Sequence, residues 1–132
     1  MSVEEEIRDI LTRYRKIAVV GLSDQPGRPS YNVTKYMIEH GYEITGVRPD
    51  KTEILGRPCL PKLADVPSQL EIVDVFRAPE YIPALVDELI PLKPKVLWLQ
   101  LGIRHLEAEK KARAAGIRVV SDRCILIEHG RI

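Results

Sequence analysis

Cysteine is scarce in this 132-residue chain, with Cys59 and Cys124 the only two. Two thiols make no disulfide framework, and no CxxC pair or Cys/His cluster offers a zinc site. No metal ligand is assigned. A dominant charge is also lacking: 20 Lys and Arg face 19 Asp and Glu, for a net +1. No global field favours nucleic acid or an anionic membrane, so any anion site must be local. Long apolar runs are missing too; none approaches the ~20 residues of a membrane-spanning helix. The first residues, "MSVEEEIRDILTRY", are acidic and amphipathic, unlike a signal peptide. These absences make the cytoplasm the expected compartment, with neither nucleic acid nor membrane as partner; a monomer or weak homo-oligomer is expected. The length fits one domain, 1–132, large enough to hide roughly two-thirds of its unfolded surface.

What is present is an alternation of short apolar runs with amphipathic segments. Residues 3–14 place Val3, Ile7, Ile10, Leu11 and Tyr14 at helical spacing. "KIAVV" (16–20) predicts a buried strand. "SYNVTKYMIEHG" (30–41) predicts a helix with Ser30 as cap and Gly41 at its stop. "YEITGV" (42–47) is a second strand, followed by a Pro-rich connection. "EIVDVF" (71–76) is a third strand, and 79–92 a helix that Pro83 can enter only near its first turn. "KVLWLQL" (95–101) is a fourth strand and 106–116 a helix with acids early and bases late. "IRVV" (117–120) and "CILIE" (124–128) finish the sheet. The expected class is α/β: an open, mostly parallel sheet of five to six strands, flanked by helices in three layers.

Ligands of such sheets bind at the carboxyl ends of the strands, near the point where strand order reverses. That rule selects four stretches. The first, "GLSDQPGRPS" (21–30), precedes a helix N-terminus, where free N–H groups favour an anion. Gly21 allows a tight strand exit, Ser23 can donate a hydroxyl, and Arg28 adds charge. The alternative is a plain connection. The second, "GVRPDK", has Arg48 where an NAD site would carry an acid for the ribose hydroxyl, with Lys51 nearby. Arg48 and Lys51 would attract a ribose phosphate, as in NADP or coenzyme A, unless they are merely solvated. In the third, Phe76 can lie against an adenine or close the core, and Arg77 can meet a phosphate or pair with Glu80. In the fourth, Gly102 permits close approach to the backbone, and Gln100 ends the strand. His105 directly precedes a helix and reads as a cap rather than a catalyst. No nucleophile–base pair follows from spacing, so no catalytic residue is assigned. Cys124 reads as a small buried thiol, whereas Cys59, in the Pro-rich loop, reads as the more exposed and reactive one.

Taken together, "IAVVGLSDQPGRPSYNVTKYMIEHGYEITGVRP", "VDVFRAPE" and "WLQLGIRHLEAEKKARAAGIRVVSDRC" resemble the small stand-alone CoA-binding proteins. Their Rossmann-like fold is similar to the N-terminal CoA-binding domain of the succinyl-CoA synthetase α subunit. The resemblance covers roughly residues 5–130. It implies that Gly21, Leu22, Ser23 and the loop to Ser30 hold a pyrophosphate. It implies that Val47, Arg48, Pro49 and Lys51 accompany the phosphorylated adenosine. Phe76, Arg77 and Ala78 match the block at the adenine or pantetheine side, and Gln100, Leu101 and Gly102 the crevice near strand four. The synthetase's phosphohistidine and ATP-binding partner have no counterpart here, and His105 does not correspond to that histidine.

The favoured expectation is a module that binds coenzyme A or an acyl-CoA without independent catalysis. One alternative is an NADP-dependent oxidoreductase, for which only His105 and Tyr31 offer a proton. Another is a thiol-linked sensor in which Cys59 or Cys124 exchanges with CoA.

Overall fold

A computed structural model describes residues 1–132. Helix α1 (Val3–Arg13) opens with a reciprocal cap. The Glu5 N–H donates to the Ser2 hydroxyl at 3.1 Å, and the Ser2 N–H to the Glu5 carboxylate at 3.0 Å. The helix lays Ile7, Ile10 and Leu11 against the sheet. Strand β1 (Lys16–Val20), helix α2 (Pro29–Glu39) and strand β2 (Glu43–Val47) then make the first βαβ unit. After the connection come β5 (Ile72–Val75), α3 (Ile82–Leu92), β6 (Val96–Leu99), α4 (Leu106–Ala114) and β7 (Arg118–Val120). Pro83 sits in the first turn of α3, as its missing N–H requires.

The sheet has seven strands rather than five to six. The Pro-rich connection contributes two, β3 (Glu53–Ile54) and β4 (Arg57–Leu60), which form an antiparallel hairpin at the edge. Leu55 and Gly56 turn that hairpin with φ of 55° and 70°. This is the doubly left-handed geometry of a two-residue hairpin turn, normally signalled by Asn-Gly or Asp-Gly. A leucine in the first position hides it from the sequence. The second difference lies at the end of the chain: 124–128 is not a strand, and Ile125–His129 form helix α5. Its Ile125 and Glu128 are buried at helical spacing. A five-residue apolar run cannot be assigned by periodicity alone, and Asp122, with φ 57°, turns the chain away from the sheet after β7.

Strand order is β3-β4-β2-β1-β5-β6-β7, with every pair parallel except the hairpin. Alternate side chains feed two cores. Ile17, Val19, Ile72, Val96 and Trp98 face α1, α2 and α5; Ala18, Val20, Val73, Val75, Leu97 and Leu99 face α3 and α4. The fold is therefore three-layered and Rossmann-like. The chain runs from β1 outward to β2, then returns to place β5 on the other side of β1. The order reverses there, so a crevice opens at the carboxyl ends of β1 and β5.

Candidate ligand-binding site

A cavity of about 790 Å³ occupies that crevice, within the size range of cofactor sites. The loop after β1 forms one wall. Gly21 leaves the strand with φ +85°, and a Cβ there would lie 2.6 Å from the Phe76 carbonyl oxygen. Only glycine lets this loop approach the end of β5 so closely. The Ser23 N–H donates to the Ser30 hydroxyl at 2.8 Å, the Gln25 N–H to the Ser23 hydroxyl at 3.1 Å, and the Gly27 N–H to the Asn32 amide oxygen at 3.2 Å.

Ser30 is not the helix cap. α2 starts earlier, with Arg28 at the capping position and Pro29 first in the helix. Proline's fixed φ and missing N–H suit that place. Arg28 provides no side-chain capping bond, so the positive end of the helix is left for another acceptor.

At the end of β2 the structure alters the expected role of Arg48. Its guanidinium grips Asp50 through Nε and NH2 at 2.6 and 2.7 Å and donates to the Leu22 carbonyl at 3.1 Å. Asp24 lies 3.8 Å away and pairs with Lys51 at 3.0 Å. Both cations expected to attract a ribose phosphate are already balanced by carboxylates. Asp24 and Asp50 are held below the usual carboxylate range by their bonds to Lys51 and Arg48 respectively. Arg48 still lies on the cavity wall, whereas Val47, Pro49 and Lys51 lie outside it. Of the three arginines on the wall, Arg28 and Arg77 have no carboxylate partner, and both are exposed. Arg77 makes no ion pair with Glu80; it lies over the Tyr81 ring, 4.4 Å from its centroid.

Phe76, Ala78, Gln100 and Leu101 join Gly21, Leu22, Ser23 and Ser30 on the wall. Gly102 stands outside it, with φ +83° and its N–H donated to the Asp122 carboxylate at 2.7 Å. That bond, the Asp122 N–H to Ile103 carbonyl at 3.2 Å, and the Trp98 indole N–H to Arg123 carbonyl at 2.8 Å fasten the loops after β6 and β7 together. They bring Ile103, Cys124 and Ile127 to the cavity. Asp24, Gln25 and Pro29 fall within the selected loop 21–30 and Ile103 within the stretch after the fourth strand, whereas Val33, Cys124 and Ile127 were missed as wall residues. Assigning 124–128 to a strand concealed Ile127, while Val33 was available from its three-residue spacing to Ser30.

The cysteines exchange their expected settings. Cys59 is buried in β4 against Gly46, and burial pushes its thiol up. Cys124 is half-buried on the cavity wall. His105 caps α4 as expected, its Nδ1 accepting from the Ala108 N–H at 3.2 Å. Neither His105 nor Tyr31 lies on the cavity wall, so the proton donors needed by an oxidoreductase are not there. Another residue beneath the cavity was not anticipated. Asp74, 1% exposed in the middle of β5, accepts from the Gln100 amide at 2.6 Å, and burial pushes its carboxyl up to about 7.

Among known families, the one described as CoA binding domain matches residues 15–130. The chain belongs to the CoA-binding domain family. An uncharacterized protein of Bacillus subtilis, YneT, is 40% identical over 94% of this chain and 92% of its own length. A solved protein from Thermus thermophilus, cell-free ID.343, superposes with a TM-score of 0.93 at 39% identity, covering 99% of this chain and 98% of its own. The α subunit of acetate–CoA ligase (ADP-forming) I from Pyrococcus furiosus is 25% identical over 80% of this chain. The match takes in 26% of that subunit, so this family member spans about a quarter of the ligase chain. No helix of this CoA-binding domain is long and apolar enough to cross a membrane.

Proposed function

We propose that the chain binds coenzyme A or an acyl-CoA across the carboxyl ends of β1, β5 and β6, without independent catalysis. One observation carries this: the open N-terminal end of α2 stands with the unpaired Arg28 and Arg77 on one cavity wall. An oriented helix end and two free guanidinium groups suit a phosphorylated ligand. The rest of the wall is more apolar, with Val33, Phe76, Leu101, Ile103 and Ile127. That division matches a molecule with a phosphate-rich end and a less polar arm. Ser23, Ser30, Arg28 and Arg77 would hold the phosphates, and Phe76, Gln100 and Leu101 would line the path of the arm. The bound cofactor would supply a thiol carrier; the chain's residues bind and orient it.

Native mass spectrometry of freshly purified protein, followed by a thermal-shift panel, tests the reading. CoA should raise the melting temperature more than NADP, NAD or ADP does. A larger shift with NADP than with CoA would transfer the site to a dinucleotide, and no shift with any of them would remove the reading.

A further inference from the structure

Asp74 is out of place in its surroundings. In the parallel sheet its register partners are Val19 on β1 and Trp98 on β6, and its face of the sheet is covered by Val33, Met37 and Ile125. A carboxyl buried among such residues carries a large desolvation cost. The side-chain hydrogen bond it makes is the one from Gln100 Nε2, and Gln100 is itself 4% exposed and reaches the cavity wall. Its Oε1 has no hydrogen-bond donor within the protein and is not among the sealed polar atoms. It therefore remains available to the cavity.

We infer that Asp74 is a positioning residue: it holds the Gln100 amide so that Oε1 faces the cavity, selecting ligands that present an N–H or O–H there. An amide offers two donor hydrogens and one acceptor oxygen, and an ionised carboxylate can only accept. An ionised Asp74 thus accepts a bond only from Nε2, and Oε1 is left for the ligand. A neutral Asp74 can donate its own proton to Oε1, and the amide is then free to reverse and offer N–H to the cavity. This inference rests on the CoA reading, whose pantetheine arm carries amide N–H and hydroxyl groups.

Other charged groups on this side have partners elsewhere. Glu128 of α5 is bound to Arg123 and Arg131, His129 to Tyr36 of α2, and Asp9 of α1 to Arg13 and Arg118. Arg28, Arg77 and Cys124 remain on the wall.

The test is a double-mutant cycle with CoA affinity followed from pH 6 to 8, using Asp74→Asn, Gln100→Met and the pair. A group tied to its partner by one hydrogen bond should cost ~10-fold in affinity when Asp74→Asn is made in the wild-type background. In the Gln100→Met background the same change should cost little, and the part of the pH dependence that comes from Asp74 should already be gone. Equal losses in both backgrounds, or none, would overturn the inference. The titration of CoA's own phosphate is common to every variant and cancels in the comparison.

A second measurement requires neither ligand nor variant folding. The Gln100 side-chain amide resonances of the wild-type protein should move with an inflection near pH 7, as Asp74 does. A flat titration overturns the coupling. A wild-type chain that shows this inflection yet binds no CoA would instead refute the functional reading.

Discussion

The Ser23 N–H donates to the Ser30 hydroxyl across 2.8 Å, so the first turn of α2 closes the loop that leaves β1. A serine that would ordinarily cap its own helix instead shapes the loop. Removing the hydroxyl in Ser30→Ala should cost about 1 kcal/mol, as for one buried hydrogen bond. It should also weaken CoA binding, because the loop loses its fixed form. Urea denaturation and ligand titration of the same variant check both effects. Loss of stability with unchanged affinity would mean that the loop does not touch the ligand.

Gly21 and Gly27 share positive φ but not surroundings. A Cβ on Gly21 would meet the Phe76 carbonyl oxygen at 2.6 Å, while one on Gly27 meets nothing within 4 Å. Gly27→Ala should cost about 1 kcal/mol from the left-handed backbone alone. Gly21→Ala adds an overlap against rigid main chain and should cost about 3 kcal/mol. Comparing the two midpoints in urea tests this; equal losses would mean that the strand exit can relax.

Asp74 gives the protein a pH-dependent stability with a defined sign. Its folded-state value, about 7, stands above the ordinary 3.8. The folded chain therefore holds a proton that the unfolded chain gives up, and stability falls as pH rises from about 4 through 7. The drop is bounded at about 4 kcal/mol by the size of the displacement. Asp74→Asn should be more stable than wild type at pH 8, and that advantage should shrink toward pH 5. Melting curves at the two values check it, and a constant difference would place the titration elsewhere.

The thiols should differ in reactivity in the opposite order to the one the sequence suggests. Cys124, half-buried on the cavity wall, should react with iodoacetamide well before Cys59, which is 5% exposed and pushed up by burial. Saturating CoA should slow modification of Cys124 and leave Cys59 unchanged. Peptide mapping reads both, and protection of neither would place the ligand away from this wall.

The core of the fold was readable because β1 and β6 are near-continuous apolar runs and β5 is interrupted only by Asp74, as suits strands buried on both faces. The loop after β1 was readable as well, since Gly21 and the helix pattern after it follow local rules, although the helix begins at Pro29 rather than Ser30. What escaped was set by distant partners. The β3–β4 hairpin relies on Leu55 in a left-handed conformation, which no local preference announces. Arg48 looked free because its neighbour Asp50, two residues on, was passed over and because Asp24 comes beside it only in the fold. Asp74 looked like one more strand residue because its burial and its bond to Gln100 exist only once β5 and β6 lie together. Cys59 joined a strand inside the Pro-rich segment, and burial reversed its expected character.

The most direct measurement is calorimetric titration of CoA into the wild-type protein and into the Arg28→Glu/Arg77→Glu variant at moderate salt. The account predicts saturable one-to-one heat for the wild type and its loss in the variant, with the variant's melting temperature little changed because both arginines are exposed and without carboxylate partners. Equal binding by both proteins would contradict the assigned phosphate wall. No heat from the wild type would contradict CoA binding itself.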